Sequence, residues 1–403
     1  MLTVSDLILS PIFSTVRLAA GKNGLSNIVL GTGILDWENI NEIPQYFNAG
    51  EFVITNLANM KDDRKKAESC VKALIMNRAS AVMIKDIYYD EISEELRQFA
   101  EEKHVPVFFF DKVYIDDMIH EVKKRLELVR EVEEYESILD DIFNSPYLPP
   151  DEMNSLVDQI NPYFHKKAFL TIYISDDEIM CSNEIQRLYQ HMHSSYGFIE
   201  DIKKDDVDMV CSQLIYKRGI LLIISFDTET EQKRCDYENY LIKRIIESSR
   251  FDGMRIGIGQ RCPKEKFSIA VRSSVFANVN CVLRGCDFMR FNIVDGDYTI
   301  FSVAGEKEVQ EYRDRIEEML LRPAAKHMPL LETALAFAEW GGNVERTAEV
   351  LCQHKNTVRY RVERIREIFG AGNNMELYGR LYMFVKIYKA WPYLKMFFRS
   401  PVS

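Results

Sequence analysis

The eight cysteines (Cys70, Cys181, Cys211, Cys235, Cys262, Cys281, Cys286 and Cys352) include no Cys-x-x-Cys pair. The closest two, Cys281 and Cys286, have neither zinc-ribbon spacing nor a neighbouring histidine, so they read as free thiols of a reducing compartment. No run of 18 apolar residues is available to span a membrane. The start, MLTVSDLILSPIF, lacks the basic residues and long apolar block of a secretory signal. Together these absences predict a cytoplasmic protein. Enzyme signatures are missing too: there is no G-x-x-x-x-G-K-[ST] phosphate loop, no H-E-x-x-H, no G-x-S-x-G elbow and no dinucleotide glycine fingerprint. His191 and His193 have no nearby Cys or carboxylate to complete a metal set, and Asp176-Asp177-Glu178 reads as an acidic hairpin turn. The sequence therefore assigns no catalytic residue, metal or cofactor.

What is present is a chain of 403 residues, long enough for two to four domains, with 47% hydrophobic and 28% charged residues. A net charge of −11 argues against general adhesion to nucleic acid or anionic membrane. Residues 1–111 alternate β-rich runs (27–35, 51–56, 80–86 and 105–111) with helical stretches at 62–77 and 90–103, which predicts βαβ units and a mostly parallel sheet. Ligands bind such sheets at their carboxyl ends, making the loops after Asn56, Asp86 and Asp111 candidate pocket walls; a plain sheet without ligand fits equally well. Over 113–144 no Gly or Pro interrupts Ile119, Val122, Leu126, Val129, Val132, Tyr135, Leu139 and Ile142 at spacings of three and four. That heptad-like seam suits pairing with a partner helix, or a long surface helix packed on its own domain. The turn-rich NSPYLPPDEMN at 144–154 marks a boundary, so 112–150 is taken as connecting helix and linker. Residues 151–304 form a second α/β block, with strands at 168–175, 218–226, 254–260 and 287–294 and helices near 151–161, 231–250 and 264–280. Residues 305–403 are almost wholly helical.

Within that last unit, 330–340 is amphipathic and ends at Gly341-Gly342. Asn343 caps a second helix, 344–352, and a tight turn at Gln353-His354 precedes a third from Lys355 to Phe369, stopped by Gly370. Ala348 is small enough for two helices to cross, and Leu351, Val358, Val362 and Ile365 supply the shared core. This is a helix-turn-helix, placed at 328–370. At about 100° per residue, burying Val358, Val362, Ile365 and Phe369 turns Asn356, Thr357, Tyr360, Glu363 and Arg364 outward and leaves Lys355, Arg359, Arg361 and Arg366 on the flanks. Arg364 has the chemistry to pair with guanine, and Asn356 with adenine unless it only caps the helix. Thr357, Arg359 and Arg361 suit phosphates. Residues 355–366 hold five basic side chains against Glu363 alone, a local +4 in an acidic protein.

These same residues resemble a known pattern. GGN…TAEVLCQHKNTVRYRVERIREIFG, 341–370, is similar to the C-terminal helix-turn-helix of PucR/CdaR-type bacterial transcription regulators at Thr347, Ala348, Leu351, His354, Asn356, Thr357, Tyr360, Arg361, Ile365 and Gly370. Gln353 departs from the aliphatic residue usual there. Residues 25–111, including GEFVITN and VPVFFFD, are similar to the PucR-type N-terminal domain, which implies metabolite sensing. Residues 155–300, with RIGIG, resemble a degenerate cyclase-like (GGDEF-like) domain that lacks the GG[DE]EF turn, so cyclase activity is not implied. The resulting expectation is an N-terminal α/β sensor, a connecting helix, a degenerate cyclase-like domain and a C-terminal helix-turn-helix bundle. Its function would be ligand-responsive, sequence-specific binding of double-stranded DNA at a promoter, controlling a neighbouring catabolic operon. Its partners would be an unknown small-molecule effector and a second copy, as a homodimer or higher oligomer. The alternatives are a nucleotide cyclase or phosphodiesterase relative with a helical regulatory tail, and a signalling adaptor whose helices bind protein.

Overall fold

The computed structural model describes residues 1–36, 40–176, 188, 202, 208–248, 251–291, 296–321 and 329–399. His191, His193, Cys181 and the Asp177-Glu178 pair lie outside the described residues. The chain divides into two compact units, Met1–Glu134 and Tyr135–Ser403.

In the first unit, strands β1 (Arg17–Ala20), β2 (Gly31–Leu35), β3 (Glu51–Thr55), β4 (Ala81–Lys85) and β5 (Val107–Phe110) form one sheet in the order β1-β5-β4-β3-β2. Four strands run parallel, and β1 closes the edge antiparallel to β5. Of the three crossovers, that from β2 to β3 passes through the one-turn helix Ile43–Tyr46, and the other two are helices α2 (Arg64–Met76) and α3 (Glu94–Lys103). Because both faces are covered, the central strands are nearly continuous apolar runs: Phe52–Ile54, Ala81–Ile84 and Val107–Phe110 are all buried. Asp63 and Ser93 cap the two helices by accepting from Lys66 N and Leu96 N. Strand β1, at four residues, carries too short a pattern to be read in the sequence, and it was not expected.

The predicted long helix exists as α4, Ile115–Asn144. Its first turns are held by the short helix α1 (Val4–Ile8): Arg125 Nη1 donates to Asp6 O at 2.9 Å, and Ser10 Oγ donates to Glu121 Oε1 at 2.8 Å. The seam is buried within the chain at Val122, Leu126, Val129, Val132, Leu139 and Ile142, with Met118 in place of the half-buried Ile119. The surface-helix alternative therefore describes it, and the seam is not an open face for a partner helix. The change from one compact unit to the next falls inside this helix. The Pro-rich turn at 145–149 lies within the second unit, between α4 and α5 (Pro150–Ile160).

The second unit is built on a sheet in the order β10-β9-β6-β8-β7. Its strands are β6 (Ala168–Asp176), β7 (Asp208–Tyr216), β8 (Gly219–Asp227), β9 (Met254–Ile258) and β10 (Phe288–Arg290), all antiparallel except β9 with β10. The edge strand β7 was not foreseen, since Ser212 and Gln213 break its apolar pattern. Helix α6 (Glu231–Ile246) covers one face through Tyr237, Leu241 and Ile245. Helix α7 (Phe267–Arg284) covers the other and is buried over most of its length.

The glycines of RIGIG explain how closely α7 lies. A Cβ on Gly257 would stand 2.1 Å from Ser274 O and 2.3 Å from Asn278 N, and one on Gly259 would stand 2.5 Å from Ala270 O. Backbone thus approaches backbone, which only glycine permits. Ser175 Oγ to Asn278 Oδ1 at 2.9 Å and Asn278 Nδ2 to Arg255 O at 2.7 Å satisfy the polar groups trapped between the layers.

Beyond the sheet come α8 (Gly296–Ser302), α9 (Lys307–Leu321), α10 (Leu330–Glu339), α11 (Val344–Val350), α12 (Lys355–Phe369) and α13 (Asn374–Leu394). The helical segment is not a body apart. Helix α13 gives Leu377, Leu381, Phe384 and Val385 to the core of α9–α12, and Ile387, Ala390 and Leu394 to the core under the sheet. At the crossover, buried Asp297 of α8 accepts from Lys386 Nζ at 2.9 Å and Tyr382 OH at 3.2 Å on α13, and from Asn280 at 3.1 Å and Arg284 at 3.3 Å on α7. Burial acts to raise the Asp297 carboxyl pKa, but the Lys386 ammonium beside it prevails and holds the group below its ordinary value.

Two outcomes follow. Gly257→Ala should lower the stability of the second unit by about 3 kcal/mol in denaturant unfolding, whereas Gly296→Ala, which meets nothing within 4 Å, should be nearly neutral. A depressed folded pKa means that the Asp297 contribution is complete above the ordinary carboxylate pKa and lost as pH falls through the folded value. Wild type should therefore lose more stability than Asp297→Asn between about pH 5 and pH 2.

Candidate nucleic-acid interface

The three-helix turn is assembled from local signals. Helix α10 ends because Gly341 and Gly342 both adopt left-handed backbone, φ +63° and +76°. Asn343 Oδ1 then accepts from Arg346 N at 3.0 Å and starts α11. Thr347 is buried, its hydroxyl donating to Asn343 O at 2.7 Å, and Ala348 is buried beside it where the helices meet. The turn closes when Gln353 N donates to Ala348 O at 3.0 Å. Helix α11 stops at Val350, two residues earlier than expected, because Cys352 takes a left-handed φ of +49°. The Gln353 side chain is exposed, which is why a polar residue is tolerated at that position.

Helix α12 spans Lys355–Phe369, as expected, and is capped at its far end by left-handed Gly370. Its N-cap is His354, whose Nδ1 accepts from Asn356 N at 3.3 Å. Asn356 is therefore inside the first turn with its side chain exposed, not spent as a cap. Val358, Val362 and Ile365 are buried, as expected.

On the opposite face Tyr360 is 63% exposed, Arg359 58% and Arg364 51%. Lys355, Asn356 and Thr357 are exposed as well. Six of the seven predicted residues are thus exposed. Arg361 differs: it is half-buried, and its Nε is enclosed without a hydrogen-bond partner. Its stem lies toward the core and leaves at most the tip for a phosphate.

The charges are not spread evenly. In the last two turns Glu367 pairs with Arg364 at 2.6 Å and Glu363 pairs with Arg366. The first two turns, 355–361, hold Lys355, Arg359 and Arg361 and no acid of their own, and the positive end of the helix dipole adds to them. Arg359 reaches Glu345 of α11 at 3.7 Å, and exposed Arg346 reaches Glu349 at 3.1 Å. Such exposed pairs are worth about 0–1 kcal/mol, weak enough for an anion to displace them. The Glu363 and Glu367 partners and the His354 cap were not anticipated. A histidine two residues before an exposed asparagine at a helix start was the available signal.

Residues 6–126 match the purine catabolism regulatory protein-like family, and residues 330–374 match the PucR C-terminal helix-turn-helix domain. The chain thus carries a PucR-type domain at each end of its sequence. The two domains together support a transcription regulator. A solved structure, a regulator of polyketide synthase expression from Bifidobacterium adolescentis, is similar at 15% identity over 65% of this chain and 92% of that one, with a TM-score of 0.26, too loose to carry an argument. No curated protein matches the chain.

The carboxyl ends of β3, β4 and β5 border one small crevice. Leu57, Arg64, Glu68, Ile84, Tyr89 and Phe109 line a crevice of only about 10 Å³, room for one water. Of the loops expected as pocket walls, those after Asn56 and Asp86 border it through Leu57 and Tyr89, whereas Asp111 does not. Leu57 has a left-handed φ of +53°, an uncommon state for leucine.

The cap and the turn can be tested apart. His354→Ala should cost about 1 kcal/mol and His354→Asn much less, while Cys352→Gly should stabilise by about 0.5–1 kcal/mol by relieving the left-handed backbone. Thermal unfolding of the three variants reads both.

Proposed function

We propose that this chain is a sequence-specific DNA-binding regulator that responds to a small metabolite and controls a neighbouring catabolic operon. The observation that carries this is the first two turns of α12, exposed, basic and with no acid of their own, in a protein of net charge −11. Asn356 and Tyr360 are the proposed base-edge contacts, from the N-terminal end that enters the major groove first. Lys355, Thr357 and Arg359 hold phosphates and set register. Arg364 reads a base only by leaving Glu367, and Arg361 supplies a phosphate contact at its tip. Glu363 and Glu367 repel phosphates from the rear half of α12, where Arg364 is the one residue expected to reach a base.

One three-helix unit makes few contacts, so two copies on half-sites one or two turns apart are proposed. The first unit, matched by the family model, is the proposed effector site. The middle block is taken as a degenerate cyclase-like domain. Against a cyclase reading, the block carries no GG[DE]EF turn to hold metal and nucleotide phosphates.

DNA retention should fall steeply between low and moderate salt, since each neutralised phosphate releases counterion. Arg359→Ala should weaken binding evenly across sequences and reduce the salt slope by about one. Asn356→Ala and Arg364→Ala should relax preference at single base positions, by about 1–3 kcal/mol each. Fluorescence anisotropy on selected duplexes at several salt concentrations measures all of these. Salt-insensitive binding, or none to the DNA upstream of its own gene, would overturn the proposal and favour an adaptor.

A further inference from the structure

We propose that the last turn of α4 and the segment following α13 form a coupling joint, through which a displacement of α4 passes to the helix-turn-helix along α13. The inference does not depend on what the helix-turn-helix binds. It rests on contacts within the second unit.

Asn144, the final residue of α4, grips the tail at two backbone points. Its Nδ2 donates to Phe397 O at 3.0 Å, and its Oδ1 accepts from Arg399 N at 3.2 Å. One turn earlier Asp141 pairs with the Arg399 guanidinium. Between them Phe143 packs against Phe397 and Phe398, ring centroids 5.6 and 5.4 Å apart. Phe398 lies over Gly305, where a Cβ would come within 2.3 Å of its ring.

The same turn is anchored from behind. Buried Arg272 of α7 donates to Phe143 O at 2.8 Å and to Ser302 O at 2.6 Å, so one guanidinium closes the C-terminal ends of α4 and α8. On its other side, Lys217 in the β7–β8 hairpin pairs with Glu136 and Asp140, each at 2.7 Å, and Tyr216 OH donates to Asp140 at 3.0 Å.

Beyond the grip, the tail continues into α13, whose N-terminal half is in the core of α9–α12. A helix anchored in two cores moves as one piece, because packed interfaces switch between discrete arrangements and do not stretch. Whatever shifts the end of α4 must carry Phe397–Arg399 with it, or break the Asn144 grip.

The test is a double-mutant cycle on the full chain read by hydrogen exchange. Lys217→Ala removes the cation from Glu136 and Asp140 while leaving Tyr216 on Asp140 and on Phe397, and so loosens α4 at a point outside α13. With Asn144 intact, exchange of the α13 and α10–α12 amides should rise about fivefold or more. In Asn144→Ala, adding Lys217→Ala should change those amides by no more than about twofold, the mark of a shared pathway. Asn144→Asp, which retains the acceptor for Arg399 N, should keep part of the coupling and covers the case in which Asn144→Ala fails to fold. Additive effects, or a Lys217→Ala response confined to β7–β8, would overturn the joint.

Discussion

The double membership of α13 in two hydrophobic cores is the constraint on which the rest of the second unit depends. Leu377, Leu381, Phe384 and Val385 close the helix-turn-helix, while Ile387, Ala390 and Leu394 close the layer beneath the sheet. Neither core is complete without this helix, so the three-helix turn is not free to swing on a linker. Asp297 stands where the two cores meet, and its four donors come from both sides of the crossing. That buried carboxylate ties α8 to both α13 and α7.

Closeness of backbone is what makes room for this. Gly257 and Gly259 let α7 settle onto the sheet, and α7 in turn presents Arg272 to the ends of α4 and α8. The glycines of RIGIG are thus steric elements, and the arginine is a helix terminator working at a distance in sequence. In the helix-turn-helix the same economy of space is met by Ala348 and by the left-handed Cys352. The recognition surface then follows from α12 alone: one stripe is buried, and what is opposite must face out.

The charge on that surface is graded along the helix. Exposed ion pairs occupy its rear half, and the front half, 355–361, carries cations and no acid. This grading gives the front of α12 the steering role that the acidic chain as a whole lacks.

Much of this was legible in the sequence, because it depends on period and caps. The parallel strands, the interrupted pattern at Gly341-Gly342 and the span of α12 are all short-range, set by glycine, asparagine and spacing. The outward direction of Asn356, Tyr360 and Arg364 followed from 3.6 residues per turn. Long-range relations were not legible. Nothing in the seam of α4 indicates that the chain itself buries it, nor that the change of unit falls within the helix and not at the Pro-rich turn. Strand β7 is recognised only once β8 pairs with it. The pairing of Arg364 with Glu367, the withdrawal of Arg361 and the grip of Asn144 on a segment 253 residues away are decided by tertiary packing, since only there do distant backbone groups compete for the same side chain.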